Sequence, residues 1–594
     1  MSKKADKMSI PLTQPSLSAT SSDQHALSDL LQTAHHQRQA GQLAQAKHIY
    51  QSIVSRDPHQ PDALHYLGLI AYQEHNYLDA ERLIRLATEI NPNSANYFIN
   101  LGQSLSAQGR YAESIVCQRR ALELEPNNAI AHFNLGVAQI SLNLIDQGVQ
   151  SYCNAIAANP KLKEAFYNLG TVFRLREDHA AAIPYYQQAI DLDDSYIDAY
   201  NNLAVCQIAV KNFDAVAKAA LKVIALDPNH ANSYFHLAIA CQEQGNLIGS
   251  EVFHERAAVI NQERGQPNAT VLCSLGLLYL ALGKLPQGWA GFEYRWSKEV
   301  APEPMRQFPY PWWQGESLHD KTILVWGEQG IGDQILFSSL YQDLLESAKC
   351  CVFACTKKLI PLFQTSFPTA LIADIDAPVQ WDEIVIDVQS AAGSAARWLR
   401  SSIASFPERS HFLVANTSRV RHWQNKLAEL DVGQAKKLNV GIGWRSGNMA
   451  GNRALYCTQI TQWQAIFGVQ GVRFINLQYD DCEVEINQAR QQFGVEIVRF
   501  MEVDLYNDLL ETAALTKALD LVISAPTTSG ILAGALGVPT WMMQSGFYWH
   551  NLGQDSNRWY PQLRGFHKNW DQDWESMIAD IATELTNLVE VKRQ

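Results

Sequence analysis

The chain has 594 residues, of which 18% are charged and 47% hydrophobic, and its formal net charge is −13. This length exceeds that of one ordinary domain, so more than one folded region is expected. An acidic chain without a basic run is a poor partner for nucleic acid. No stretch reaches the roughly 18–20 apolar residues of a membrane span. The sequence therefore predicts several domains, without nucleic acid as a partner and without a transmembrane segment.

Residues 1–26 are polar and rich in Ser, Thr, Lys and Pro. They lack the apolar segment of a secretory signal and have the composition of a disordered tail. Ten cysteines are scattered along the chain, as is typical of a reducing cytosol. Cys350, Cys351 and Cys355 share one apolar run, but no second cluster completes a metal site, so we expect them in a strand core. The sequence thus predicts a cytoplasmic protein with no metal and no cofactor.

Prolines recur at a spacing of 34 residues, at Pro58, Pro92, Pro126, Pro160 and Pro228. Glycines keep the same spacing, at Gly68, Gly102, Gly136 and Gly170. A period of 34 is typical of the helix–turn–helix tetratricopeptide (TPR) repeat. One repeat cannot bury its apolar face alone, so repeats stack into a solenoid with a groove for peptide or protein. We predict an all-α TPR solenoid over residues 27–300, with seven repeats and a degenerate eighth.

An asparagine stands two residues before the small position in four successive repeats. The series is Asn100, Asn134, Asn168 and Asn202. These positions lie on the first helix of each pair, which lines the concave face. An amide both donates and accepts hydrogen bonds, so such a ladder could hold a peptide main chain. The alternative is that the asparagines only solvate the groove. The array resembles the asparagine ladder in the TPR superhelix of eukaryotic protein O-GlcNAc transferases.

Residues 301–320 are rich in Pro and Trp and predict a stiff linker. An apolar β run follows, then a turn with Gly327, Gly330 and Gly332, then a helical pattern. Strand, Gly-rich turn and helix open a nucleotide-binding α/β unit. The glycine spacing fits neither the dinucleotide fingerprint nor a P-loop. We assign residues 321–435 to a first α/β lobe.

A second lobe is expected over residues 436–594. One of its strands runs into a loop before a predicted helix, and this loop is Thr527, Thr528, Ser529 and Gly530. Free N–H groups and the helix dipole favour an anion such as a diphosphate at such a helix N-terminus. Two α/β lobes with a crevice between them are the natural architecture.

Three strings carry a resemblance to a known family: Gly-Glu-Gln-Gly-Ile-Gly-Asp333, Gly-Trp-Arg445-Ser-Gly-Asn and Ala-Gly-Ala-Leu-Gly-Val-Pro539. They resemble the bacterial TPR glycosyltransferases, whose C-terminal domain is similar to the lipopolysaccharide heptosyltransferases. The resemblance covers the repeats and residues 321 to about 574. It implies a GT-B fold, with two Rossmann-like lobes after the TPR solenoid. Such enzymes are metal-independent and bind the nucleotide sugar mainly on the C-terminal lobe.

The resemblance also implies roles for single residues. Asp333 matches the general base that acts on the acceptor hydroxyl, although Asp is also favoured as a helix N-cap. Arg445 and Arg453 match basic positions that steady the leaving diphosphate, with solvated surface arginines as the alternative.

The loop from Thr527 to Gly530 matches the phosphate-binding loop of that family. The family usually has an Asp before this Thr and a His opening the helix, where this chain has Pro526 and Ile531. Contacts from backbone N–H groups do not depend on those side chains. His550 is a further candidate for donor phosphate, with a structural loop histidine as the alternative.

We therefore expect an inverting glycosyltransferase of the hexosyl or heptosyl type. It would move a sugar from a nucleotide-sugar donor to an acceptor hydroxyl, on a protein held by the TPR groove. One alternative is a non-catalytic TPR scaffold with a decayed transferase domain, which Pro526 and Ile531 favour. Another is a glycosyltransferase that acts on a lipid-linked or polysaccharide acceptor.

Overall fold

The computed structural model describes residues 21–300, 305–377, 384–433, 435–447, 456–569 and 571–593. Arg453 and the first 20 residues of the predicted tail lie outside these ranges. The chain divides into two compact units, Met1–Cys206 and Gln207–Gln594.

The first unit consists of antiparallel helix pairs. Its helices are α1 (Ser21–Gln39), α2 (Leu43–Arg56), α3 (Pro61–Gln73), α4 (Tyr77–Ile90), α5 (Ala95–Ala107), α6 (Tyr111–Leu124), α7 (Ala129–Ser141), α8 (Ile145–Ala158), α9 (Lys163–Leu175), α10 (His179–Leu192) and most of α11 (Ile197–Ala209). The first helix begins at Ser21, whereas the repeat spacing predicted a start near residue 27.

The sequence period explains where these helices end and how closely they pack. The helix α4 ends at an extended Asn91, and Pro92 follows, which cannot continue the N–H ladder. Glycine at the small position permits close approach: a Cβ on Gly136 would lie 2.7 Å from the Tyr152 ring. Each pair therefore buries its apolar stripe against the next pair.

The second unit opens with more helices of the same kind. They are α12 (Phe213–Leu226), α13 (Ala231–Glu243), α14 (Leu247–Glu263), α15 (Ala269–Ala281) and α16 (Leu285–Phe292), followed by a 3₁₀ turn, Glu293–Trp296. Among the described residues, the repeat region thus holds sixteen helices over the two units. The prediction of an N-terminal all-helical TPR solenoid is confirmed.

Two parallel sheets follow the repeats. The first contains β1 (Thr322–Trp326), β2 (Cys350–Cys355), β3 (Leu371–Asp374) and β4 (Val388–Ala391), in the order β3-β2-β1-β4. The second contains β5 (Leu438–Gly443), β6 (Val472–Asn476), β7 (Ile497–Val498), β8 (Leu521–Ser524), β9 (Thr540–Ser545) and β10 (Leu563–Lys568), in the order β10-β9-β8-β5-β6-β7. In each sheet the strand that comes first in the sequence lies in the interior. The order of the strands reverses beside it, where β1 pairs with β4 in the first sheet and β5 pairs with β8 in the second.

Helices cover these sheets. They are α17 (Ile331–Phe337), α18 (Tyr341–Ser347), α19 (Ile360–Ser366), α20 (Ala392–Leu399), α21 (Thr417–Glu429), α22 (Gln464–Phe467), α23 (Glu483–Phe493), α24 (Leu509–Lys517), α25 (Thr528–Ala535) and α26 (Trp574–Arg593). Among the described residues, no helix is both long and apolar enough to cross a membrane.

The last repeat packs directly against the sheet region. Trp289 of α16 is fully buried in a core shared with β1, α17 and α25, and its indole N–H donates to the carbonyl of Arg400 at 2.8 Å. This region beyond the repeats holds parallel sheets, as expected. Its division into two GT-B lobes and the exact domain boundaries stay predictions.

Candidate active site

A cleft of about 780 Å³ opens where β1 and β8 end. Its walls include residues 327–334 after β1, residues 526–528 after β8, and Ser446 after β5. In doubly wound parallel sheets, ligands bind at the carboxyl ends of the strands, beside the strand where the chain order reverses. The cleft lies at this place in both sheets, and its volume suits a small organic ligand.

The Gly-rich turn after β1 carries Asp333 to the cleft wall. Gly330 caps α17, and its N–H donates to Asp333 Oδ2 at 3.2 Å. A Cβ on Gly332 would lie 3.1 Å from Ile531, so glycine lets α17 and α25 approach each other. Asp333 is therefore the third residue of α17 and not its N-cap, as the alternative from the sequence had it, and it lines the cleft while its carboxylate accepts the Gly330 N–H.

Gly327 makes room for a neighbouring side chain. A Cβ there would lie 2.6 Å from Gln334 Oε1, which accepts the main-chain N–H of Thr356 at 3.0 Å. The amide of Gln334 donates back to Thr356 Oγ1 at 2.8 Å. The turn is therefore fixed at both of its ends.

The loop before α25 also reaches the cleft. Thr527 is the N-cap, and both Thr527 and Thr528 line the cavity. The first N–H groups of a helix have no intrahelical acceptor, so those of α25 are available to an anion. Ser529 instead donates its hydroxyl to the carbonyl of Leu477 at 2.8 Å, and Gly530 packs against Met542. The predicted loop is therefore shorter than expected, because Thr528, Ser529 and Gly530 already form the first turn of α25, and Thr527 and Thr528 line the cleft.

Pro526 and Ile531 line the same cleft. In the family that the sequence resembles, these two positions carry an Asp and a His. In this chain they carry a proline and an isoleucine, which offer neither a carboxylate nor an imidazole. An anion at the start of α25 would meet backbone N–H groups and the Thr528 hydroxyl, whereas Arg295 and Arg306, which also line the cleft, are paired with Glu328 and Asp376.

Arg445 follows β5, as predicted, and its guanidinium is held by neighbouring carboxylates. It is not among the residues that line the cleft, and its guanidinium binds Asp480 and Glu485, with Nε 2.8 Å from Glu485 Oε1. Its Nη2 also donates to the carbonyl of Asp481 at 3.0 Å. Two carboxylates and two carbonyls, those of Ser446 and Asp481, accept its donors, so Arg445 braces the loop around Asp480, and its role toward a diphosphate stays a prediction.

His550 does line the cleft. Its ring stacks on Trp549 with centroids 3.9 Å apart, and Nδ1 is buried with no hydrogen-bond partner in the part of the chain that the structure describes. Burial lowers the pKa of His550 to about 3, so the ring is neutral at pH 7. This histidine can exchange a hydrogen bond with a ligand but brings no charge to a diphosphate.

Sequence reasoning missed a buried ion pair at the base of the cleft. Arg295, from the turn after the last repeat, donates to both oxygens of Glu328 at 2.7 and 2.9 Å. Each residue is only 4% exposed, and Glu328 also accepts the Gly393 N–H at 2.6 Å. Glu328 stands inside the Gly-rich turn, so this pair fastens the turn to the last repeat.

A second cavity of about 550 Å³ continues from the cleft and shares Ser446, Tyr479 and Thr528 with it. Tyr479 and Tyr506 line it with rings 6.2 Å apart and nearly parallel. The hydroxyl of Tyr479 accepts the Gly447 N–H at 3.0 Å, which fixes this ring. Aromatic walls beside an anion-binding helix terminus suit a ligand that joins a flat ring to phosphate. No signal in the sequence pointed to these tyrosines.

The predicted asparagine ladder lies within the first unit, and most of its amide groups have partners inside the repeats. Three of the four donate to an earlier aromatic residue: Asn100 to His65 (2.8 Å), Asn168 to Tyr152 (3.3 Å) and Asn202 to Tyr167 (3.0 Å). The amide nitrogen of Asn134 is buried and has no hydrogen-bond partner among the residues that the structure describes. The ladder therefore joins neighbouring helices, and its peptide-binding role stays a prediction.

The described residues contain no cluster of three or more His, Cys, Asp or Glu side chains placed to hold a metal ion. All ten cysteines are free thiols, and Cys351 and Cys355 are buried in β2.

Comparisons with known proteins support the repeats. Models of the tetratricopeptide repeat match residues 37–101, 102–143 and 139–197. The chain is 32% identical over 380 residues to Protein FlbA of Caulobacter vibrioides, a match that covers 61% of this chain and 62% of FlbA. Because residues 1–300 are about half of the 594-residue chain, this match includes part of the region beyond the repeats.

Two solved structures match part of the chain. YrrB, described as a TPR protein with an unusual peptide-binding site, is 23% identical with a TM-score of 0.28, over 30% of this chain and 93% of YrrB. PilF of Pseudomonas aeruginosa is 19% identical with a TM-score of 0.33, over 36% of this chain and 96% of PilF.

Proposed function

We propose that this chain is a glycosyltransferase of the GT-B type that modifies a protein held by its TPR repeats. The supporting observation is that Asp333 and the N-terminus of α25 line one cleft at the carboxyl ends of two parallel sheets. The strand order of the second sheet, read from its central strand β5, is that of a dinucleotide-binding sheet, and the first sheet has four strands of the same order.

The donor would lie across the two joined cavities. Its base would stack in the tyrosine-lined cavity, and its diphosphate would meet the N–H groups of α25 and the hydroxyl of Thr528. This binding does not require a lysine or an arginine, because the N-terminus of a helix itself attracts an anion.

The transfer step would be a direct displacement. Asp333 takes the proton of the acceptor hydroxyl, and the acceptor oxygen attacks the anomeric carbon of the sugar. The bond from that carbon to the diphosphate oxygen breaks, and its electron pair leaves with the nucleoside diphosphate. One displacement inverts the configuration at the anomeric carbon.

The acceptor would reach the cleft from the repeats. TPR solenoids present extended concave surfaces to peptides and proteins. The last repeat joins the cleft through Arg295, so a polypeptide bound to the repeats can lie close to Asp333.

A thermal-shift panel of the full chain with UDP-, GDP-, ADP-, CDP- and TDP-sugars tests the proposal. A ligand that binds only the folded state at a hundredfold excess over its dissociation constant stabilises that state by about 2.7 kcal/mol. We expect one nucleotide to raise the melting temperature. We expect Thr528→Asp to abolish that shift, because a carboxylate at the helix terminus repels the diphosphate.

The matched control is Thr583→Asp, a change of the same kind on an exposed position of α26. It should retain the full shift. No shift with any donor, or a shift that Thr528→Asp leaves intact, would contradict the proposed donor site.

A second candidate is a TPR scaffold whose cleft has lost its activity. Pro526 and Ile531 in the cleft, and the engagement of Arg445 by two carboxylates, favour it. The same panel separates the two, because a scaffold without a donor site gives no nucleotide-dependent shift.

A further inference from the structure

Six of the described residues other than glycine have a positive φ, a backbone conformation that side chains disfavour. Four of them lie in the turns that join the two helices of a repeat, and they are His75, Asn143, Glu177 and Lys211. Glycines with a positive φ occur at the same 34-residue spacing, at Gly41, Gly109 and Gly245. The geometry of the repeat therefore explains these four residues.

The other two residues lie beyond the repeats and differ in burial. Leu552 has a φ of 52° and is fully buried in the core that contains Trp289, so packing holds its backbone. Gln329 has a φ of 56°, yet it is exposed and lines the cleft. Strained backbone of this kind is concentrated at active sites and ligand clamps. Neither a repeating turn nor a buried side chain accounts for Gln329.

The turn that carries Gln329 is fixed on both sides. On one side Glu328 is held by the buried Arg295, with Nε 2.7 Å from Oε2. On the other side the Gly330 N–H donates to Asp333 Oδ2 at 3.2 Å. These contacts set the course of the chain through position 329, where a glycine would adopt the positive φ without strain. The turn thus explains the conformation but not the glutamine side chain.

The same turn lies against the start of α25. A Cβ on Gly332 would be 3.1 Å from Ile531 and 3.9 Å from Thr528 Oγ1. In the proposed donor complex the diphosphate meets the α25 terminus. The anomeric carbon must then lie near Asp333, with the acceptor oxygen between them. The transferred sugar would therefore lie against this turn, where Gln329 lines the cleft.

We propose that Gln329 hydrogen-bonds to the sugar of the donor and helps to select it, an inference that rests on the proposed glycosyl transfer. A side-chain amide both donates and accepts hydrogen bonds, and the hydroxyl groups of a sugar do the same. A free nucleoside diphosphate lacks the transferred sugar and would not make this contact. The strained backbone is then the consequence of placing a hydrogen-bonding side chain where the turn favours glycine.

Isothermal titration calorimetry on the full chain tests the contact. The probes are UDP-glucose, UDP-N-acetylglucosamine, GDP-mannose, ADP-glucose, CDP-glucose and TDP-glucose, each compared with its free nucleoside diphosphate. One hydrogen bond contributes roughly three- to tenfold in affinity. We expect Gln329→Ala and Gln329→Gly to weaken the bound nucleotide sugar by that factor and to leave the affinity for its diphosphate unchanged.

The two variants should differ in stability. Gln329→Gly removes the backbone strain and should raise the melting temperature by about 2–4 °C, whereas Gln329→Ala keeps the strain and should not raise it. The matched control is Glu177→Gly, at an exposed turn of the repeats with a φ of 61°. This control should also gain stability, and it should bind the nucleotide sugar as the unaltered chain does. Weaker sugar binding by a more stable chain is a result that a purely structural glutamine would not give.

The inference is overturned if a nucleotide sugar binds and both variants of Gln329 bind it as tightly as the unaltered chain. It is also overturned if Gln329→Gly lowers the melting temperature, or if both variants weaken the diphosphate and the nucleotide sugar equally, because the glutamine then only shapes the turn. If neither a diphosphate nor a nucleotide sugar binds the unaltered chain, the proposed donor site is contradicted and the inference fails with it.

Discussion

Ion pairs in the repeats and in the sheet region differ in reach and in burial. In the repeats, Arg176 pairs with Asp146 of the preceding repeat at 2.7 Å, and the side chains are 46% and 93% exposed. In the sheet region, Arg295 pairs with Glu328 inside the protein, and Glu328 also binds Gly393, which is 65 residues further on. The first pair joins one repeat to the next, and the second joins three separate segments.

This contrast indicates where single substitutions matter. A stack of repeats gains its stability from many similar contacts between neighbours, so the loss of one contact is local. The cleft depends on a few buried groups that hold distant segments in register. The two regions should therefore respond very differently to comparable substitutions.

The largest difference is expected when one partner of an ion pair is removed. Arg295→Ala leaves Glu328 buried and charged without its partner, which should cost about 3–5 kcal/mol of unfolding free energy. Arg176→Ala removes an exposed pair and should cost about 0–1 kcal/mol. Denaturant unfolding of both variants measures this. Equal costs would mean that the buried pair does not hold the Gly-rich turn.

A smaller effect is expected from acid at a buried histidine of the repeats. Burial lowers the pKa of His254 to about 4, against an ordinary value of 6.5. Between these values the unfolded chain takes up a proton more readily than the folded chain, so stability falls as pH decreases from about 6.5 to about 4. At pH 5 the loss from this one group is about 2 kcal/mol.

His254→Phe should remove that part of the pH dependence, as measured by the change in unfolding free energy between pH 7 and pH 5. His59→Gln, at an exposed position, is the control and should leave the dependence unchanged. If His254→Phe were as acid-sensitive as the unaltered chain, this histidine would not be the neutral buried group described here.

The smallest effect separates two members of the asparagine ladder. Asn202→Ala removes the hydrogen bond to Tyr167 and should cost about 1 kcal/mol. Asn134→Ala removes a buried amide nitrogen for which the described residues offer no acceptor, so its cost should be smaller or even negative. Thermal melting of the two variants makes the comparison. A larger cost at Asn134 would show that its amide is engaged by the fold.

The sequence allowed the repeats to be predicted because their contacts repeat with the chain. Pro92 marks a helix end and Gly136 a close helix approach, and both recur at the same spacing. In the sheet region, the Gly-rich turn and the loop at Thr528 could be placed after strands, which brings them to the same edge of parallel sheets. That much follows from local pattern and topology.

The remaining site residues could not be predicted in the same way. Arg445 has the local context of a ligand, but Asp480 and Glu485, which engage it, lie 35 and 40 residues further along the chain. Nothing near Arg295 in the sequence indicates that it will meet Glu328. Such side-chain partners depend on contacts between residues far apart in the chain. These contacts do not recur at a fixed spacing in the sequence.

The central claim is that the cleft transfers sugar with Asp333 as the base. The most direct measurement is the release of nucleoside diphosphate by the full chain from the donor that stabilises it, with water as the acceptor in place of a protein hydroxyl, compared with Asp333→Asn. A general base contributes about 10²–10⁴-fold, so the variant should release product slower by that factor while donor affinity stays the same. Asp320→Asn, at an exposed position before β1, should behave as the unaltered chain. Release that is equal in the Asp333→Asn variant, or absent with every donor, would contradict the account.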